Sequence, residues 1–198
     1  MLEELPENIL FVSGWMDRED MEWIARESVV LSGRRAVFFE RSFQNKFSNI
    51  MDEIFTQIND HDKIIEMANN NKDKIVVVNR SNIDIGFTLD AYTVSKSPDM
   101  PEQKCRLCDD ILRVAFSNAG SIAKTTVTLL PFGEDFLEKE YLPNENISDD
   151  KKEFIRMLYM FYSNFRVHGV DREIATSREA AVSVLVKKIL KMYNTLSQ

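Results

Sequence analysis

The sequence predicts an α/β protein: a three-layer, mostly parallel sheet of about four or five strands with helices on both faces, followed by a helical C-terminal region. Three observations predict it. Short apolar runs alternate with longer segments of helical periodicity from the N-terminus to Pro131. The clearest run, Ile75-Val-Val-Val78, is β-branched and lacks polar alternation, as expected of a strand covered on both faces. The opening strand, helix and strand fit into about thirty residues, the size of a βαβ unit.

Taken in order, Ile9–Ser13 reads as a buried strand followed by Gly14. Asp17 is placed to cap the next helix, which carries Met21, Ile24, Ala25 and Ser28 on one face and ends near Gly33. Ala36–Glu40 is a second strand. A long helix from Ser42 to Asp60 has Phe43, Phe47, Ile50, Ile54, Phe55 and Ile58 at helical spacing, and a separate short helix covers Lys63–Ala68 before the turn signal Asn69-Asn70-Asn71. Lys74–Asn79 is the third strand. Residues 83–94 admit two readings: Ile83, Ile85, Phe87, Leu89 and Ala91 alternate as in a strand, while Gly86, Leu89, Asp90 and Thr93 suit a short helix. A helix follows over residues 102–117, then a strand over Lys124–Leu130 stopped by Pro131. Residues 133–147 read as acidic and irregular. Helices are expected from Ser148 to Phe165, with Phe154, Leu158, Phe161 and Phe165 inward, and after a capping box of Thr176 and Glu179, with Ala180, Val184, Ile189 and Met192 inward. The organisation expected is an α/β core at 1–131, an acidic connection at 132–147 and a helical region at 148–198 packed on the core as one structural domain.

Composition narrows the function classes. The chain has 198 residues, 44% apolar, enough for a sizeable core. A net charge of −7 argues against general nucleic-acid binding, which needs clustered cations. No apolar run is long enough for a membrane span, and the acidic start Met1-Leu-Glu-Glu lacks the layout of a signal peptide, so a cytoplasmic location is expected. The two cysteines, Cys105 and Cys108, form one C-x-x-C inside an expected helix and supply too few ligands for a structural zinc; no metal or other cofactor is expected. His168 reads as a helix C-cap residue. Tyr159, Phe161, Tyr162 and Phe165 cover more than one face of their helix, so a protein partner or a second copy is expected along residues 154–165.

Ligands of open α/β sheets bind beyond the carboxyl ends of the strands. Two such ends are polar: Ser13-Gly14-Trp15-Met16-Asp17, where a glycine permits close approach to the backbone, and Asn79-Arg80-Ser81-Asn82-Ile83-Asp84-Ile85-Gly86. Neither carries a dinucleotide fingerprint or a Walker sequence.

Ile9–Arg18 resembles the opening strand and loop of nucleoside 2-deoxyribosyltransferases, a family grouped with deoxynucleotide N-glycosidases and, more distantly, TIR domains. Asp84-Ile-Gly86-Phe-Thr-Leu-Asp90-Ala-Tyr92 resembles its second signature, an Asp, a Gly two residues on and an acidic nucleophile six residues on that begin a helix. The resemblance implies cleavage of an N-glycosidic bond through an oxocarbenium-like state trapped by a carboxylate. It makes Asp90 the nucleophile and Asp84 the holder of a sugar hydroxyl or a proton. Ser13, Gly14, Trp15, Asp17, Gly86 and Tyr92 would contact the nucleoside or nucleotide. The chain departs from the pattern in using Asp where the family has Glu, and Ala91-Tyr92 where it has Gly-Tyr. The strand reading of 83–94 leads elsewhere. A hairpin of 74–79 with 83–94, followed by the helix and the strand ending in Leu-Pro, resembles the HORMA interaction domains, and implies a non-catalytic adaptor.

Overall fold

The computed structural model describes residues 5–15, 18–40, 50–81, 84, 86–88, 91, 126–129, 134, 137–143, 148–164, 171–173, 175 and 177–197. Its elements are β1 (Ile9–Ser13), α1 (Arg18–Ser32), β2 (Ala36–Phe39), α2 (Ile50–Asn70), β3 (Ile75–Asn79), β4 (Thr126–Leu129), α3 (Asp149–Asn164), β5 (Asp171–Glu173) and α4 (Arg178–Leu196). The fold is mixed α/β, as the alternation of apolar runs and helical stripes predicts. No helix among the described residues is long and apolar enough to cross a membrane.

The strands line up in the order β2-β3-β1-β4-β5, and every pairing is parallel. Composition explains who sits in the middle. Every residue of β1 and of β3 is buried, whereas β2, at one edge, is buried only at Ala36. The two-residue period then sorts side chains to opposite faces. Leu10 and Val12 of β1 and Ile75 and Val77 of β3 join α1, α3 and α4 in one apolar cluster. Ile9, Phe11, Val76 and Val78 form another with Ile64 and Ala68 of α2. Asn8 fixes the register between the halves: its Nδ2 donates to the carbonyls of Ala68 (3.1 Å), Asn71 (3.0 Å) and Lys74 (3.0 Å), tying the end of α2 and the turn after it to the start of β1.

α1 buries the face read from sequence, Met21, Ile24, Ala25 and Ser28, and ends at Gly33 with a positive φ of 65°. Its small residues let α4 approach: Ser28 Oγ bonds the Ile24 carbonyl at 2.6 Å and lies 3.5 Å from that of Val182. Arg178 pairs with the buried Asp20 at the starts of these helices, and Arg35 lies over the Tyr193 ring near their ends, so α1 and α4 run in the same direction.

The structure corrects several expectations. Residues 50–70 are one continuous helix; His61-Asp62, which separates the two expected helices, sits within it. That is tolerated because neither residue is proline or glycine, and propensity alone is a weak signal. The connection at 132–147 contains a wide helical turn, Leu137–Tyr141, closed by Leu142 N–H to the Leu137 carbonyl at 2.9 Å and anchored by buried Leu137 and Leu142. A bidentate pair of Arg156 with Glu138 (2.9 and 3.1 Å) ties it to α3; the hydrogen bond to Arg156 lowers the Glu138 pKa. The C-terminal region is not wholly helical, because β5 extends the sheet beyond β4. α4 is capped by Ser177, whose side chain accepts from Ala180 N–H at 3.1 Å, rather than by Thr176. Its fully inward residues are accordingly Ala181, Val182, Leu185 and Ile189. The helix expected over 102–117, with Cys105 and Cys108, lies outside the described residues, as do Phe43, Phe47, Phe165 and His168.

Candidate functional site

The strand order places the carboxyl ends of β1 and β3 side by side. β1 leads through α1 towards β2 on one flank and β4 leads to β5 on the other, so the topological switch point lies between β1 and β4. Ser13, Gly14 and Trp15 leave the sheet at that point, next to Arg80, Ser81 and Asp84 from the end of β3.

The ambiguous stretch after β3 is helical at every described position: Asp84, Gly86, Phe87, Thr88 and Ala91. β3 already has β2 on one side and β1 on the other, so the hairpin behind the HORMA-like reading does not form. The carboxylate half of a capping box opens the helix, and a backbone turn bond stands in place of the other half. Ser81 N–H donates to Asp84 Oδ2 at 2.6 Å, and Asp84 N–H donates back to the Ser81 carbonyl at 3.2 Å. The signal for it, Ser81-x-x-Asp84 ahead of an apolar run, is in the sequence and decides between the two readings; the alternation of Ile83, Ile85 and Phe87 obscures it.

Asp84 does more than cap. It is 2% exposed, and each carboxylate oxygen faces three donors. Oδ2 accepts from Ser13 Oγ (2.6 Å), Ser81 N–H (2.6 Å) and Ser81 Oγ (3.1 Å). Oδ1 accepts from Gly14 N–H (3.3 Å), Arg80 Nη1 (3.3 Å) and the Tyr162 hydroxyl. Ser13 Oγ and Ser81 Oγ are also 2.6 Å apart. Each hydroxyl has one proton, so with Ser13 donating to Asp84 the Ser81 proton is left to bridge Ser13 and Asp84. A carboxylate offers about four lone-pair positions, and this one is filled by its own protein.

Arg80 completes the junction. It is 8% exposed, donates from Nη1 to the Gly14 carbonyl at 2.7 Å, and donates its own N–H to the Val12 carbonyl at 2.8 Å. Its φ is 72°, a left-handed conformation that costs a non-glycine residue energy and is over-represented at functional sites.

Sequence reasoning missed Tyr162. It lies on the buried face of α3 with Phe154, Ile155 and Leu158; Phe154 and Leu158 are inward as the periodicity suggests, but that periodicity selects the half-buried Phe161 in place of Tyr162. Tyr162 is 1% exposed and meets Phe87 edge-on at 4.7 Å between centroids. One turn earlier on the same face, Tyr159 meets the ring of buried Trp15 edge-on at 5.8 Å, and Phe161 stacks on Phe87 at 5.9 Å. Tyr159, Phe161 and Tyr162 thus make ring contacts within the protein, Phe165 lies outside the described residues, and Met160 is the exposed large apolar residue of α3.

Burial, and after it the charge of Asp84, raises the pKa of the Tyr162 phenol well above its ordinary value. The phenol therefore stays protonated and donates. Below the ordinary phenol pKa both folded and unfolded chains keep the proton and the contribution to stability is complete. As pH rises past about 10 the unfolded chain loses its proton first, so stability falls until the folded pKa is passed. We expect an alkaline drop in unfolding free energy beginning there, measured by urea denaturation, and a smaller drop in Tyr162→Phe. An equal drop in both proteins refutes this assignment.

Of the residues singled out from sequence, Ser13, Gly14 and Asp84 come into direct contact. Trp15 follows them and packs on α3, and Gly86 is buried in the helix that Asp84 opens. Asp17, Asp90 and Tyr92 lie outside the described residues. Among the described residues no group of His, Cys, Asp and Glu is arranged to hold a metal ion. No protein-family model, curated protein or solved structure matches the chain.

Proposed function

We propose that the chain breaks, or transfers across, the N-glycosidic bond of a nucleoside or nucleotide, on a three-layer sheet with helices on both faces. One observation carries the reading. The two segments that resemble deoxyribosyltransferase signatures, far apart in sequence, meet at the carboxyl edge of the sheet, where Asp84 bonds Ser13 and Gly14. The second segment is also helical at its described positions, which the resemblance requires.

In this reading an Asp90 carboxylate oxygen bonds the anomeric carbon as the C–N bond breaks. The base leaves with the bonding electron pair and takes a proton from solvent; water or an acceptor base then bonds the anomeric carbon, gives up a proton to solvent and displaces the carboxylate. The Ser13–Trp15 loop forms the wall that meets base or sugar, with the buried indole of Trp15 packed behind it against Tyr159. Asp84, whose oxygens are already engaged by six donor contacts, organises that wall and leaves the covalent step to Asp90.

The test is release of free base from nucleosides, nucleotides and NAD, followed by chromatography. Asp90→Ala is expected to lower release by at least about a thousandfold, as removal of a covalent nucleophile does. No release from any of these substrates, or release that Asp90→Ala leaves unchanged, rejects the proposal.

A further inference from the structure

We propose that Tyr162, with Tyr159 one turn before it, is a positioning residue: α3 clamps the Ser13–Gly14–Trp15 loop by bonding Asp84 and by packing on Trp15. This rests on the reading of that loop as the ligand-facing wall.

The argument starts from what Asp84 needs. The capping role of the carboxylate takes one bond, accepted from the Ser81 N–H, and that bond is present. The remaining donors serve another purpose. Ser13 Oγ and Gly14 N–H bring in the end of β1, and Arg80 brings in the end of β3 while also holding the Gly14 carbonyl. Tyr162 is the donor that comes from neither strand end; it arrives from a helix seventy-eight residues further along the chain. Its ring is wedged edge-on against Phe87, which fixes where the hydroxyl points.

Tyr159 lies three residues earlier, so both side chains leave α3 on the same side. Its ring meets Trp15 rather than Asp84. One helix face therefore grips the loop at two points, a hydrogen bond behind Gly14 and a ring contact at Trp15. Two grips of different chemistry restrict both the backbone and the indole. Positioning of this kind sets how well a bound ligand fits, without a direct part in the chemistry.

Amide hydrogen exchange on the full chain tests the clamp. In Tyr162→Phe, which loses one oxygen, the amides of Gly14 and Ser81 are expected to exchange about tenfold faster, with Val77 at the centre of β3 unchanged. Exchange at Gly14 and Ser81 that stays at the wild-type rate, or that rises together with Val77, overturns the proposal. Tyr159→Leu supplies an independent arm, because it leaves the donors to Asp84 in place. Faster exchange at Gly14 without change at Ser81 is expected, and equal behaviour of the two amides overturns it. With a substrate that the wild type cleaves, Tyr162→Phe should raise KM about tenfold with kcat within about twofold, the pattern of lost binding. A fall in kcat at constant KM overturns the positioning role. A wild-type protein that releases no base rejects the N-glycosidic reading, and the exchange measurements still decide whether α3 holds the loop.

Discussion

Asp84→Ala is expected to lose about 3–5 kcal/mol of stability, the range for breaking a buried ion pair from one side. The loss has two sources. The substitution strands the Arg80 guanidinium, whose side chain is 9% exposed, with no counter-charge at Oδ1. It also leaves the Ser81 and Gly14 amides and the Ser13 hydroxyl without their acceptor. Small domains are held by about 5–15 kcal/mol in all, so the variant should unfold at much lower urea. Asp84→Asn should be milder. The two serine hydroxyls can turn to accept from an amide, but the Ser81 N–H cannot. Alanine within about 1 kcal/mol of wild type by urea denaturation would show that the carboxylate is a ligand group parked in the fold and not its fastening.

Arg80 should show a comparable loss, and a pair of variants separates its charge from its backbone. Arg80→Ala removes the guanidinium that faces Asp84 and the Gly14 carbonyl, at an expected cost of about 3–5 kcal/mol. Arg80→Gly loses the same bonds but occupies a φ of 72° without strain, so it should be more stable than the alanine variant by about 1 kcal/mol. The reverse order by urea denaturation would mean that the left-handed turn imposes no cost at this position.

Much of the fold could be read from the sequence because its central strands are simple. Ile9-Leu-Phe-Val and Ile75-Val-Val-Val are covered on both faces and show it in every residue. The face of α1 was equally plain, since Met21, Ile24, Ala25 and Ser28 recur at one period and Gly33 closes the helix. β5 was hidden for the opposite reason. Asp171-Arg-Glu173 is short, charged and at the end of the strand order, and pairing there makes few demands on side chains. The polar junction at the sheet edge was half legible. Ser13, Gly14, Arg80 and Asp84 lie in the two segments picked out by the rule that ligands gather at strand ends, whereas the left-handed turn at Arg80 and the role of Tyr162 do not follow from it. A left-handed arginine has no local signature, and a phenol on an apolar stripe looks like any other core residue until its partner is known.

The strand order also bears on how the chain acquires its structure. β1 and β2 are neighbours in sequence but not in space, because β3 lies between them and bonds to both. The opening strand, helix and strand therefore cannot close a sheet by themselves. Their apolar faces wait for Ile75–Asn79, which must insert as the shared middle strand, so the loop-closure entropy is met before any ladder forms. During synthesis the first forty residues would emerge as an open, sticky intermediate. The rate-limiting event expected of this topology is the arrival of β3, with Asn8 joining the turn ahead of β3 to the start of β1.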